Sequence, residues 1–129
     1  CIRDSYYGMY FLELADYCTR ENNDECEVLK LLYQSLRALT VKSIPRRLVR
    51  CIYEIRLIVA NGEFPGLPQG NFSETALYAV EFIAGTPVEK LYTFTLKEEV
   101  LAELVQIAEK YRRDFLPGEF HTLEILETL

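Results

Sequence analysis

The chain has 129 residues, half of them hydrophobic and 26% charged, and its fourteen Lys plus Arg against twenty Asp plus Glu give a net charge of -6 and a pI near 4.9. That length fits one domain, the apolar content excludes intrinsic disorder, and the negative balance excludes whole-surface attraction to nucleic acid or anionic membrane. No apolar stretch approaches the ~20 residues of a membrane span, and Cys1 to Ser5 lack the basic start and apolar run of a signal peptide. The absence of an initiator Met leads us to expect a piece of a longer chain.

Tyr6, Tyr7, Tyr10, Phe11, Leu14 and Tyr17 recur at helical spacing and predict a first helix over residues 6–17, capped by Asp4 or Ser5. Its aromatic stripe reads as core or partner interface. Residues 19–25, with two adjacent Asn, read as a loop. Asp24 with Glu27 makes a capping-box-like start, and Val28, Leu29, Leu32, Leu36 and Leu39 carry a second helix to about Ala38 or Thr40. Ser43-Ile44-Pro45 opens a third, because a proline in the first turn lacks only an N–H that had no helical partner. Leu48, Val49, Ile52, Ile55 and Val59 continue it to a stop at Asn61-Gly62.

Residues 62–72 begin Gly-Glu-Phe-Pro-Gly-Leu-Pro and form a Gly/Pro loop. Ser73 caps a fourth helix carried by Leu77, Tyr78, Val80, Phe82 and Ile83 and closed by Gly85 and Pro87. Residues 88–94 read as coil, since the β-prone Leu91-Tyr92-Thr93-Phe94 has no partner strand. Thr95-Leu96-Lys97-Glu98 has the capping-box form ahead of a long helix through Val100, Leu104, Ile107, Tyr111 and Phe115, which Pro117-Gly118 ends. Residues 123–129 read as a short terminal helix. The fold class is all-α, a single compact domain of about six helices spanning residues 1–129.

The chemistry-bearing residues are sparse. Cys1, Cys18, Cys26 and Cys51 contain no C-x-x-C pair, and Cys18 and Cys51 lie in apolar runs, so reduced structural thiols and a cytoplasmic home are expected. With His121 as the single histidine, no metal cluster is visible. Neither a G-x-S-x-G elbow nor a Gly-rich phosphate loop occurs, and the paired acids Glu98 and Glu99, and Glu124 and Glu127, read as solvated faces. No catalytic residue is assigned.

Charge is distributed unevenly. Residues 1–60 hold nine Lys/Arg against eight Asp/Glu, and residues 61–129 five against twelve. Lys42, Arg46, Arg47, Arg50 and Arg56 crowd the third helix and its approach; Arg46, Arg47 and Arg50 share a face, and Arg56 points elsewhere. Such a face either recognises carboxylates and phosphates bidentately or is a solvated face paired with the acidic half. Lys110, Arg112 and Arg113 form a second basic group near the end of the long helix, where the helix dipole favours cations in any case.

Tyr10-Phe11-Leu12-Glu13-Leu14-Ala15-Asp16, Ile52-Tyr53-Glu54-Ile55-Arg56-Leu57, Asn61-Gly62-Glu63-Phe64-Pro65 and the tail Phe120-His121-Thr122-Leu123-Glu124-Ile125-Leu126 occur in that order, and Lys90-Leu91-Tyr92-Thr93-Phe94 precedes the long helix. Together they resemble the C-terminal domain of the bacterial DNA-repair protein RecO, over essentially the whole chain. The resemblance implies a recombination mediator of the RecF pathway, not an enzyme. Such a protein works with RecR, anneals strands and helps load RecA. Its helical domain docks the acidic, Phe-ended tail of single-strand binding protein (SSB) in an apolar groove edged by basic residues. Carried onto this sequence, the resemblance makes Arg50, then Arg47 and Arg46, with Arg56, the residues expected to bind that tail, and Lys110, Arg112 and Arg113 a possible secondary patch.

Two departures accompany it. The family's N-terminal OB-fold, its main contact with single-stranded DNA, is not in this sequence, and residues 1–5 stand where its connector would be. The four-cysteine zinc ribbon of many members would fall at the Gly/Pro loop, yet Pro68-Gln69-Gly70 runs directly into Asn71-Phe72-Ser73, so no zinc or other cofactor is expected on these residues. His121 occupies a position where many members carry lysine. The other readings of the residues are direct binding of single-stranded nucleic acid, and binding of an apolar ligand.

Overall fold

A helix whose apolar residues spread over most of its circumference has to be covered by neighbours on those sides. The third helix of this chain buries Leu48, Val49, Cys51, Ile52, Tyr53, Ile55, Leu57 and Ile58 and keeps Arg46, Arg47 and Arg50 on the remaining face. The computed structural model describes residues 2–20, 25–117 and 120–128, apart from the side chain of His121. In it six α-helices follow in the order α1 (Ile2–Arg20), α2 (Glu25–Leu39), α3 (Arg46–Ala60), α4 (Glu74–Gly85), α5 (Glu98–Phe115) and α6 (His121–Thr128), with one 3-10 turn at Val88–Lys90. There is no strand among the described residues.

Helix α3 is the axis of the packing. It touches α1, α2, α4 and α5; α1 packs on α2, α4 packs on α5, and α6 returns against α1. One core runs through all six helices. At its centre Phe11 of α1 stacks on Tyr53 of α3 with ring centroids 4.2 Å apart, and the Tyr53 hydroxyl donates to the Phe11 carbonyl at 2.6 Å. The ring is thus packed and its polar end satisfied.

The ends of the helices follow local chemistry in some places and tertiary contacts in others. The stop of α3 is a Schellman arrangement: Glu63 N–H reaches Ile58 O at 3.0 Å and Gly62 N–H reaches Val59 O at 2.9 Å, with Gly62 at φ 75, a conformation that suits glycine. Ser73 caps α4 by accepting from Ala76 N–H at 3.2 Å, as its position predicts. Pro45 stands at the cap position of α3 rather than inside its first turn.

Four boundaries differ from expectation. Helix α1 starts at Ile2, before its expected caps, because Asp4 inside its first turn pairs with Arg46 of α3, and it runs on to Arg20 through part of the expected loop. Asp24, the expected start of α2, lies outside the described residues. The Thr95 capping box does not form: Lys97 is the cap residue of α5, without a side-chain bond, and Glu98 turns to Arg47 instead. The expected coil after α4 contains the 3-10 turn, held by the buried Val88 and Leu91. Helix α6 begins two residues earlier than expected, at His121.

Candidate functional site

On α3, Arg47, Arg50, Cys51 and Glu54 stand at i, i+3, i+4 and i+7, so all four lie along one face. That face meets Tyr7 and Tyr10 of α1, Val105, Ala108 and Arg112 of α5, and Glu127 of α6 around a cleft of about 280 Å³. Glu54 is 2% exposed, and a carboxylate so buried needs compensating donors. The Tyr10 hydroxyl donates to Glu54 Oε2 at 2.5 Å, Arg50 Nε donates to the same oxygen at 3.2 Å, and Arg112 Nε lies 3.5 Å from it. The Arg50 guanidinium also lies over the Tyr10 ring, 5.3 Å from its centroid.

The electrostatics of this cluster are set by burial and by Glu54. Burial works against the charge of Arg50, but the Glu54 carboxylate together with the Tyr10 and Tyr7 oxygens more than offsets it and holds the guanidinium above its ordinary value. Burial, reinforced by Glu54, pushes the Tyr10 phenol well up and keeps it a neutral donor. Cys51 in the cleft wall is likewise pushed up, mainly by burial, so its sulfur is a thiol and not a nucleophilic thiolate.

The arginines keep donors to spare. A guanidinium carries five N–H groups. Arg50 uses Nε on Glu54, and its terminal nitrogens make no hydrogen bond to the described residues. Arg47 Nη1 meets Glu98 Oε1 at 3.4 Å, an exposed contact that a competing carboxylate displaces at little cost, and the largely buried Arg112 meets the half-exposed Glu127 Oε1 through Nη1 at 3.4 Å on the rim. Tyr7, Cys51, Val105 and Ala108 supply an apolar floor between them.

The sequence-predicted basic residues are sorted by the packing. Arg47 and Arg50 are brought together, and Arg112 of the expected secondary patch joins them through Glu54. Arg46 turns to Asp4 at 2.6 Å and lines a second, larger groove of about 530 Å³ between the start of α1 and the α2–α3 turn, with Arg3, Leu39, Val41, Lys42, Ile44 and Arg47 among its walls. Arg56 stands apart: its Nη1 reaches the carbonyls of Ile83, Ala84 and Thr86 at 2.9, 3.3 and 2.5 Å and closes the C-terminal end of α4. Lys110 pairs with Asp114 at 3.8 Å on the solvent side of α5, and Arg113 is exposed beside it. Sequence spacing does not mark Glu54, Tyr10 or Glu127 as site residues; a lone acid four residues after Arg50 is the one signal it offers.

No group of three or more His, Cys, Asp or Glu able to hold a metal occurs among the described residues, and no described helix is long and apolar enough to cross a membrane. No curated protein and no solved structure matches the chain. A family model does: the C-terminal part of recombination protein O matches residues 2–70, which span α1, α2, α3 and the loop to Gly70. With more than half of the chain matched and the all-helical architecture in place, the protein belongs to the RecO C-terminal family, whose role is in recombination and DNA repair.

Proposed function

We propose that this domain is the protein-docking part of a recombination mediator, and that the cleft between α1, α3 and α5 receives the apolar, carboxylate-bearing end of the SSB tail. The observation that carries the reading is a cleft with an apolar floor whose rim holds Arg47, Arg50 and Arg112 with donors to spare. A peptide end presents both a side chain to bury and a carboxylate for bidentate arginine contact. An apolar ligand alone is the poorer match, since three arginines line the space. The reading extends to an activity that proceeds by binding rather than catalysis, without a cofactor, in the bacterial cytoplasm at the nucleoid. Its other partners are RecR and, through an OB-fold outside these residues, single-stranded DNA, in support of strand annealing and RecA loading.

Fluorescence-polarisation titration with an SSB C-terminal peptide tests the docking. Arg47→Ala with Arg50→Ala is expected to weaken binding by at least about tenfold, as loss of charge-assisted bonds of ~1.5–3 kcal/mol each implies, and binding is expected to weaken with salt. Binding that is absent, or indifferent to that pair of substitutions in a variant whose circular dichroism is native, removes the assignment.

A further inference from the structure

The polar cluster under the first cleft does not balance its charge by itself. Arg50 and Arg112 both face Glu54 Oε2, two guanidiniums on one carboxylate, and Tyr10 adds only a neutral donor to the same oxygen. The second counter-charge comes from α6, whose Glu127 meets Arg112 Nη1 at 3.4 Å and forms part of the cleft wall. Helix α6 is seated on α1 with Leu123 and Leu126 buried and the Thr122 hydroxyl donating to Glu13 Oε1 at 2.8 Å. Glu127 takes no part in that seating. Its side chain is 55% exposed, against 12% for Arg112, and it stands in the last turn of α6, the helix end whose dipole disfavours an acid. Neither burial nor the chemistry of its own helix accounts for a carboxylate at this place; Arg112 does.

We infer that Glu127 is a built-in competitor for the cleft: it holds Arg112 with a carboxylate of the chain's own until the carboxylate of a docked peptide takes its place, so that α6 sets the affinity and selects guests ending in a free carboxylate. This rests on the reading of the cleft given above and adds the acid that a guest has to displace. The exchange replaces one carboxylate by another at Arg112. Releasing a half-exposed side chain to water costs little, whereas the largely buried guanidinium is left short of a partner unless the guest supplies one. An apolar end without a carboxylate therefore leaves Glu127 where it is and gains nothing from its removal. Only the side chain moves, since Leu123 and Leu126 keep α6 in place. Glu109 of α5 provides the internal comparison: it belongs to the same wall but forms no ion pair among the described residues.

The test uses the 129-residue chain and a fluorescent peptide ending in Asp-Phe, with the C-terminal amide of the same peptide as a second probe. Glu127→Gln is expected to bind the free acid about fivefold tighter than the native chain does, the gain from one ion pair that no longer has to be broken. The amide is expected to gain less than about twofold, and Glu109→Gln to change either affinity by less than about twofold, because a screened charge without a direct contact contributes little. The melting temperature of Glu127→Gln is expected to stay at the native value. No gain for the free acid overturns the competitor while the docking site stands, and a fall in melting temperature without a gain makes Glu127 a fastener of α6 instead. An equal gain for the amide, or from Glu109→Gln, also overturns it, since neighbouring charge and not occupation of Arg112 is then the cause. If the native chain and every variant bind neither probe, the docking reading falls and this inference with it.

Discussion

Glu54 carries more of the structure than its single charge suggests. One oxygen of this buried carboxylate receives Tyr10 from α1 and faces Arg50 of its own helix and Arg112 of α5, so it ties three helices together. Removing it leaves two largely buried guanidiniums without their counter-charge, and Glu54→Ala is expected to cost ~3–5 kcal/mol in urea unfolding. Tyr10→Phe takes away one bond to a carboxylate that keeps both arginines, and about 1.5 kcal/mol is expected. The arginines of α3 were legible from helical spacing alone. Arg112 was not, because its place beside Glu54 depends on how α5 lies on α3, and helical periodicity identifies the inward face of each helix without pairing the two. The aromatic stripe of α1 reads as core or partner interface; Tyr10 is core, but its burial hides a polar contact that composition does not disclose.

Helix termini separate local rules from tertiary ones. Arg56 lies on the basic helix yet closes the end of α4, and burial lowers its guanidinium from the ordinary value. Arg56→Met is therefore expected to reduce stability by about 2 kcal/mol through lost carbonyl contacts, with peptide affinity unchanged, which distinguishes it from Arg50. At the start of α4, Ser73 donates through both Oγ and backbone N–H to Glu103 of α5, at 2.7 and 2.8 Å, and these bonds hold the Glu103 carboxyl below the ordinary carboxylate range. The folded value lies below the unfolded one, so the contribution is complete above that range and disappears as pH falls through the lowered folded value. Thermal midpoints of the native chain and Glu103→Gln are expected to differ at neutral pH and to converge in acid. Ser73 as a cap and Asn61-Gly62 as a stop could be read from sequence because each needs only its own neighbours. The Thr95 box failed because α5 starts with Lys97 as its cap, so Glu98 is the first helical residue and not the third, where it would reach back to the Thr95 backbone.

At the scale of the molecule, the family match stops at Gly70, but the packing does not. Helix α3 meets α4 and α5 as well as α1 and α2, and the loop after it is pinned to α5 by Tyr111, whose hydroxyl donates to Gly66 O at 2.6 Å. A fragment of residues 1–70 exposes the side of α3 that α4 and α5 cover, and it is expected to show no cooperative thermal transition by circular dichroism, whereas the full chain melts in one step. Helix number and order were legible throughout, since each helix carries its own apolar period. Which helices touch was not, and the first cleft exists only through those contacts. Its walls come from α1, α3, α5 and α6, elements far apart in the chain. A guest seated there therefore binds the assembled protein alone and acts as a fastener between the two ends of the sequence. By mass action, a peptide at a hundred times its dissociation constant adds about 2.7 kcal/mol to the free energy of unfolding, so occupancy can be read as a rise in melting temperature without any label on the peptide.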